Sequence, residues 1–127
     1  METMRRILVG ISGASGAPIA IRLLQRLKEM SDVETHLVMT RGAKLTIEQE
    51  TEVTVDQVKK LADVVYENEE IGSRPASGSF SIDAMIIVPC SMKTVAGIAG
   101  GYSDNLLLRA ADVVIKEARP LFLVARE

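Results

Sequence analysis

Residues 7–18 have the sequence ILVGISGASGAP, an apolar run followed by a turn of small residues and a proline. The apolar run predicts a buried strand, and the helical spacing of apolar residues over 19–30 predicts an amphipathic helix directly after the turn. Glycines let the backbone approach a ligand, and a helix N-terminus offers unpaired N–H groups to an anion. Pro18 suits the first turn of that helix. The stretch therefore predicts a phosphate-binding strand–turn–helix unit, with Ser12 and Ser15 as additional hydroxyl donors.

Composition narrows the class of protein. The chain has 127 residues, 47% of them hydrophobic, and a formal net charge of −2, which is typical of one soluble globular domain with a single core. The absence of a basic stripe argues against nucleic acid as a partner, and no apolar run has the roughly 18–20 residues that a membrane span needs. The single cysteine fits a reducing compartment, so we expect a cytoplasmic protein. Residues 1–3, ahead of Met4, are expected to be a short extension, or to reflect an alternative start, without a structural role.

Predicted strands and helices alternate along the chain. The strands are predicted over 6–11, 34–39, 64–66, 84–88 and 120–124. The helices are predicted over 16–30, 43–51 and 55–62, then up to residue 98, and finally from a cap at Ser103 or Asp104 to residue 118. The predicted buried stripes are Ile19, Leu23, Leu24, Leu27 and Met30 on the first helix and Leu106, Leu107, Ala110, Val113 and Val114 on the last. This alternation predicts an α/β fold, a three-layer sandwich with a parallel Rossmann- or flavodoxin-like sheet.

Four segments are predicted at the carboxyl ends of the strands, where ligands of such sheets bind: residues 10–17, 40–41, 89–94 and 126–127. A dinucleotide site requires an acidic residue at the end of the second strand, where this chain has Thr40 and Arg41. This disfavours NAD and leaves NADP as an alternative through Arg41. A hydroxyl and a cation suit a mononucleotide phosphate better. The turn lacks the Gly-Lys-Ser/Thr sequence of a P-loop.

Six motifs together resemble the flavin prenyltransferase family (UbiX-type), formerly described as hydroxybenzoate carboxy-lyases. They are VGISGASGA at 9–17, ETHLVM at 34–39, SGSF at 77–80, PCSMKT at 89–94, LRAADV at 108–113 and Arg126-Glu127. The resemblance implies metal-independent transfer of a dimethylallyl group from dimethylallyl phosphate to N5 and C6 of reduced FMN. It also implies a dodecameric homo-oligomer with active sites at subunit contacts. The prenylated FMN would serve a partner decarboxylase, as in ubiquinone synthesis.

The resemblance also assigns roles to residues. It implies FMN binding by Gly13, Ala14, Ser15, Thr40, Ser91, Met92, Lys93, Thr94 and Arg126. It implies catalytic roles for Ser15, Glu50 and Glu127. It implies binding of dimethylallyl phosphate by Arg109, Lys116 and Arg126.

Prenyl transfer requires residues of these types. Breaking an allylic C–O bond develops negative charge on the phosphate, which fixed cations stabilise, and positive charge on the allyl group, which carboxylates and the flavin ring stabilise. The sequence has no Asp-rich motif for magnesium, so the arginines and the lysine take that role. A positioned carboxylate can assist the proton transfer.

Structural alternatives exist for several of these residues. Glu50 lies in an acidic stretch that is also typical of a solvated helix face, and Glu127 could be a frayed chain end. Arg109 and Lys116 are seven residues apart, so they share one helix face that could be an exposed charged stripe. His36 and Cys90 are interpreted as structural: a hydrogen-bonded histidine and a buried, inert thiol.

The resemblance is incomplete at the C-terminus. The family's tyrosine and basic residue that grip dimethylallyl phosphate lie in a later segment without a counterpart here. We therefore expect a C-terminally truncated chain that keeps most FMN contacts but binds the prenyl donor poorly. Two alternatives remain open. One is an FMN-dependent cysteine decarboxylase, which uses a catalytic histidine and an Asn-containing motif where this chain has residues 89–94. The other is a non-catalytic flavin-binding fragment.

Overall fold

A computed structural model describes residues 4–127, and strands alternate with helices throughout. The expected extension at residues 1–3 lies outside this part of the chain. The strands are β1 (Arg5–Ile11), β2 (Val33–Met39), β3 (Val64–Glu67), β4 (Ala84–Cys90) and β5 (Leu121–Ala125). The α-helices are α1 (Ala17–Lys28), α2 (Arg41–Glu50), α3 (Val55–Lys59), α4 (Met92–Ala99) and α5 (Leu106–Lys116), with a 3₁₀ turn at Arg74–Ala76.

The five strands form one parallel sheet in the order β3-β2-β1-β4-β5. Its central strand, β1, pairs with β2 on one side and β4 on the other, so that Val9 lies opposite both Leu37 and Ile86. The order matches the Rossmann type rather than the flavodoxin type, and it reverses between β1 and β4. The predicted α/β class with a parallel sheet is confirmed. In such folds the point of reversal opens a crevice at the carboxyl edge.

Each face of the sheet is covered by its own apolar cluster. Val9 and Ile11 of β1 pack towards α1, α2 and α3, together with Leu24 and Ile47. Leu8 points the other way, into a cluster built mainly by α5. This alternation explains why β1 is apolar at every position from Ile7 to Ile11 apart from its glycine, as expected of a strand covered on both faces.

The buried face of α1 differs from the prediction. Ala17, Ala20, Leu24 and Leu27 are buried, whereas Ile19 is 44% exposed and Met30 is 49% exposed. The prediction was wrong for Ile19 because it selected large apolar residues, and for Met30 because the helix ends at Lys28, before that residue. The small alanines allow this helix to pack close to the sheet, and the side that carries them is therefore the buried side.

The start of α5 also differs. The helix is capped by Asn105, whose side-chain oxygen accepts the N–H of Leu108 at 2.9 Å, and not by Ser103 or Asp104. Its buried residues include Leu108 and Ala111, while Val113 is only partly buried. Asparagine is as good an N-cap as serine or aspartate, so three adjacent candidates could not be ranked from the sequence. Within residues 4–127, no helix has the length and apolar character needed to cross a membrane.

Candidate functional site

A cleft of about 690 Å³ opens at the carboxyl edge of the sheet, on the side of the crevice between β1 and β4. This volume is within the range of small-molecule and cofactor sites. Four turns and the start of α5 contribute its walls. The lining residues are Ser12, Gly13, Thr40, Arg41, Gly42, Asn68, Ser91, Lys93, Thr94, Ala96, Gly97, Tyr102, Asp104, Asn105 and Leu108.

Two helices begin at this cleft with free donors. Thr40 caps α2 by accepting the N–H of Ala43 at 3.0 Å, and Ser91 caps α4 by accepting the N–H of Thr94 at 3.2 Å. The N–H groups that follow each cap, at residues 41–42 and 92–93, have no partner within the described part of the chain. Helix N-termini attract anions, so these two turns favour a phosphate group in the cleft.

The N-terminus of α1 is different, because a side chain already occupies it. Oε1 of Glu50 accepts the N–H groups of Gly16 and Ala17, each at 3.1 Å. The sequence predicted unpaired N–H groups here, and that prediction was wrong. The carboxylate of Glu50, delivered by the last turn of α2, takes the position of an anion at this helix.

The environment of Glu50 lowers the pKa of its carboxyl group below the usual value of 4.5. The main cause is the pair of backbone N–H groups at Gly16 and Ala17, and the hydroxyl of Ser15 and the charge of Arg126 act in the same direction. The side chain is nevertheless exposed. At neutral pH, Glu50 is therefore an ionised carboxylate beside the β1–α1 turn, suited to stabilising positive charge or accepting a proton.

The C-terminal residue pair joins the same turn. The N–H of Ser15 donates to the backbone oxygen of Glu127 at 2.9 Å, and the N–H of Arg126 donates to Cys90 at 2.9 Å. The side chain of Arg126 passes over Gly16, where an added Cβ would lie 3.2 Å from Arg126 Cδ. Gly16 has a φ of 122°, which L-residues rarely adopt. Ser15, Glu50, Arg126 and Glu127 are thus gathered around one turn.

The other two residues predicted to bind dimethylallyl phosphate lie elsewhere. Arg109 and Lys116 are exposed on α5 and do not line the cleft. Lys116 is the last residue of that helix, about 15 Å along its axis from the end that borders the cleft. This chain alone therefore does not bring these two cations to the cleft.

The two residues interpreted as structural have structural contacts. Nδ1 of His36 lies 2.8 Å from the hydroxyl of Tyr66, its Nε2 lies 2.6 Å from Glu34, and the ring is 2% exposed. Cys90 is fully buried, and burial raises the pKa of its thiol to about 11. The hydrogen bonds of His36 and the burial of Cys90 are confirmed, and the inertness of the thiol stays a prediction. His36 is the only histidine in the sequence.

Some cleft residues were missed by the sequence analysis. Asn68 accepts the N–H of Leu106 through its backbone oxygen and that of Leu107 through its side chain, each at 2.9 Å, and so holds the start of α5. Gly42 and Tyr102 also line the cleft. A glycine two residues after the Thr40 cap was a usable signal for close backbone approach. Among the described residues, no group of three or more His, Cys, Asp or Glu side chains could hold a metal ion.

A parallel sheet of Rossmann order, with two donor-bearing helix N-termini at a cleft on its carboxyl edge, is the arrangement of nucleotide- and flavin-binding α/β proteins. The family model described as Flavoprotein matches residues 1–126, and the chain belongs to this family.

Two curated relatives are similar over nearly the whole chain. The flavin prenyltransferase UbiX of Escherichia coli (strain K12) is 52% identical over 124 residues, which are 98% of this chain and 66% of the relative. The flavin prenyltransferase LpdB of Lactiplantibacillus plantarum is 55% identical over 124 residues, again 98% of this chain and 66% of the relative. The chain spans 61–66% of the length of the curated relatives it matches.

Solved structures give the same picture. A dodecameric FMN-dependent UbiX-like decarboxylase from Escherichia coli O157:H7 superposes with a TM-score of 0.95 at 53% identity, covering 96% of this chain and 66% of that chain. AnUbiX (PadA1), solved in complex with FMN and dimethylallyl pyrophosphate, superposes with a TM-score of 0.95 at 48% identity, covering 98% and 65%. The FMN-dependent cysteine decarboxylase TvaF shares only the fold, at 17% identity, with a TM-score of 0.73 over 97% of this chain and 74% of that chain.

Proposed function

We propose that this chain forms a single FMN-binding domain and acts in a flavin prenyltransferase. The proposed reaction transfers a dimethylallyl group from dimethylallyl phosphate to reduced FMN. The observation that carries the proposal is the convergence of Ser15, Glu50 and Arg126 on one turn beside the cleft. Sequence identity of 52–55% to curated flavin prenyltransferases supports the same reaction.

The hydrogen-bond donors at the cleft suit the phosphate group of FMN. We assign the FMN phosphate to the free N–H groups at the starts of α2 and α4, with the hydroxyls of Thr40, Ser91 and Thr94 beside them. Met92 and Lys93 belong to the second of these turns. Gly13 lines the cleft, whereas Ala14, the next residue of the β1 turn, is 3% exposed and does not line it. Reduced FMN supplies the nucleophilic N5 and C6 atoms.

The proposed roles follow from charge. The allylic C–O bond would break, a bond to N5 would form with loss of the N5 proton, and phosphate would leave. A proton would then add to the remaining double bond of the prenyl group, and C6 would bond to the resulting cationic carbon and lose its own proton, which closes the new ring. Glu50 is ionised, so it stabilises the allyl cation or accepts a proton rather than donating one. Arg126 neutralises the leaving phosphate, while Ser15 and Glu127 orient the groups around it.

Arg109 and Lys116 are assigned to the site of a second copy of the chain, because both are exposed and lie outside this chain's own cleft. In a homo-oligomer, such as a dodecamer of the kind formed by the UbiX-like relative, these residues would face a neighbouring copy's cleft. The proposed product serves a partner decarboxylase. The buried free thiol of Cys90 suits the cytoplasm.

The cysteine decarboxylase alternative requires a histidine at the site. The only histidine, His36, is buried between Glu34 and Tyr66, away from the cleft lining. This placement favours the transferase.

Anaerobic incubation of the chain with reduced FMN and dimethylallyl phosphate, followed by mass spectrometry of the released flavin, tests the proposal. A parallel incubation with the pyrophosphate identifies the donor. We expect flavin heavier by one five-carbon unit, with loss of product in Glu50→Gln and retention in the matched surface variant Glu48→Gln. Bound but unmodified FMN with both donors would contradict transfer and favour a flavin-binding fragment.

A further inference from the structure

Ser12 follows β1 directly and lies at the point where the sheet order reverses. The last register pair of the β1–β4 ladder is Gly10–Ile87, so Ser12 lies beyond the regular pairing of the two strands. Ser12 is 1% exposed, so its hydroxyl must find partners within the protein. The hydrogen bonds of this hydroxyl therefore determine how the β1 side and the β4 side of the crevice are connected.

The hydroxyl of Ser12 bridges this crevice. It donates to the backbone oxygen of Pro89 at 2.8 Å and accepts the backbone N–H of Ser91 at 2.7 Å. A hydroxyl can donate and accept at once, which neither an aliphatic side chain nor an ammonium can do. The sequence predicted Ser12 as a donor to a ligand, and that prediction was wrong because its hydroxyl hydrogen is donated to Pro89.

Ser91 connects the hydrogen bonds of Ser12 to the free N–H groups at the start of α4. The hydroxyl of Ser91 accepts the N–H of Thr94 at 3.2 Å and donates to its Oγ1 at 3.0 Å, so the cap has one orientation. The two free N–H groups of the cleft wall, at Met92 and Lys93, come directly after it. A shift of Ser91 would move both of them relative to the β1 turn.

We propose that Ser12 is a positioning residue of the flavin site, which fixes the α4 N-terminal turn against the β1 turn before FMN binds. This inference rests on the proposed FMN binding. Ser12 acts through Ser91. The backbone of Ser12 also donates to Pro89 at 3.2 Å, so a variant without the hydroxyl retains one contact across the crevice.

The test compares FMN dissociation constants of the whole chain, measured by quenching of flavin fluorescence. We expect Ser12→Ala to raise Kd at least tenfold, and Ser12→Cys, which fills the same space with a weak hydrogen-bonding group, to do the same. Val58→Ala is the control: Val58 is fully buried on α3, away from the cleft lining. It should lower Tm while leaving Kd within twofold.

A Kd for Ser12→Ala within twofold of the wild type would overturn the inference, as would an equal rise in Val58→Ala. Should neither Ser12 variant fold, amide exchange of the ligand-free wild type decides. The Ser91 amide is expected to exchange at least a hundredfold more slowly than those of Met92 and Lys93, and equal rates would overturn the bridge. A wild-type chain that binds no FMN overturns the proposed function together with this inference.

Discussion

Gly13 and Gly42 pack backbone against backbone, so closely that a Cβ added to Gly13 would lie 2.9 Å from the Cα of Gly42. This contact joins the β1 turn to the start of α2 along one wall of the cleft. Because neither residue has a side chain, the free N–H groups of α2 come near the β1 turn. The β1 turn and the start of α2 can therefore lie this close together only because both contact residues are glycines.

Gly13→Ala is expected to force these turns apart. The backbone of Gly42 cannot yield as a flexible side chain would, so we expect a loss of stability of about 1–3 kcal/mol and at least a tenfold rise in the Kd for FMN. Urea unfolding and fluorescence titration measure the two effects. Gly72→Ala is the matched control, because an added Cβ there meets nothing within 4 Å. Equal behaviour of the two variants would contradict the wall contact.

Glu50 should make the free energy of unfolding depend on pH. Its folded-state pKa is lowered, so its contribution is fully present above the unfolded value near 4.5 and is lost as pH falls through the lower folded value. Glu50→Gln should therefore unfold at lower urea than the wild type at pH 7. The difference should shrink as the pH falls below about 4.5. Glu48→Gln, on the exposed side of the same helix, should show no such trend. A pH-independent difference for Glu50→Gln would refute the charge interaction with α1.

Cys90 should be chemically inert in the folded chain. With a thiol pKa of about 11, roughly a thousandth of the thiol is ionised at pH 8, and the side chain is fully buried. We expect a thiol-reactive dye to label the native chain at least a hundredfold more slowly than the urea-unfolded chain. Comparable labelling rates in the two states would show that this end of β4 opens readily.

Tyr66→Phe should destabilise the chain by about 1–3 kcal/mol, because it leaves the buried Nδ1 of His36 without its partner. The only other tyrosine in the sequence, Tyr102, is 63% exposed and supplies the control. Tyr102→Phe should change the free energy of unfolding by less than about 0.5 kcal/mol. Chemical denaturation of both variants checks this prediction, and similar losses would argue against a role for the His36–Tyr66 contact.

The fold could be predicted from the sequence because its signals are local. An apolar run covered on both faces, a turn of small residues and a helical repeat all lie within residues 7–30, and similar units recur along the chain. The burial of α1 was less predictable. Ala17 and Ala20 face the sheet while Ile19 does not, and this choice depends on how closely the helix approaches its neighbours.

The contacts that shape the site could not be predicted from local patterns. Glu50 reaches Gly16 across 34 positions, and Ser12 reaches Ser91 across 79. The sequence around Glu50 does not indicate its contact with Gly16, and the sequence around Ser12 does not indicate its contact with Ser91. The identity of several site residues followed from the resemblance, whereas their connections depend on how the turns meet in three dimensions.

The central place of β1 has a consequence for how the chain acquires its site. Pairing of β1 with β2 closes a short loop, but Ile7 pairs with Ala84 of β4 only after a much longer one has closed. Long loops form contacts slowly, so a chain folded only as far as β3 has one wall of the cleft and lacks the other. Ligand affinity is then a property of the completed sheet. A bound flavin would shift the global unfolding equilibrium rather than protect a local segment.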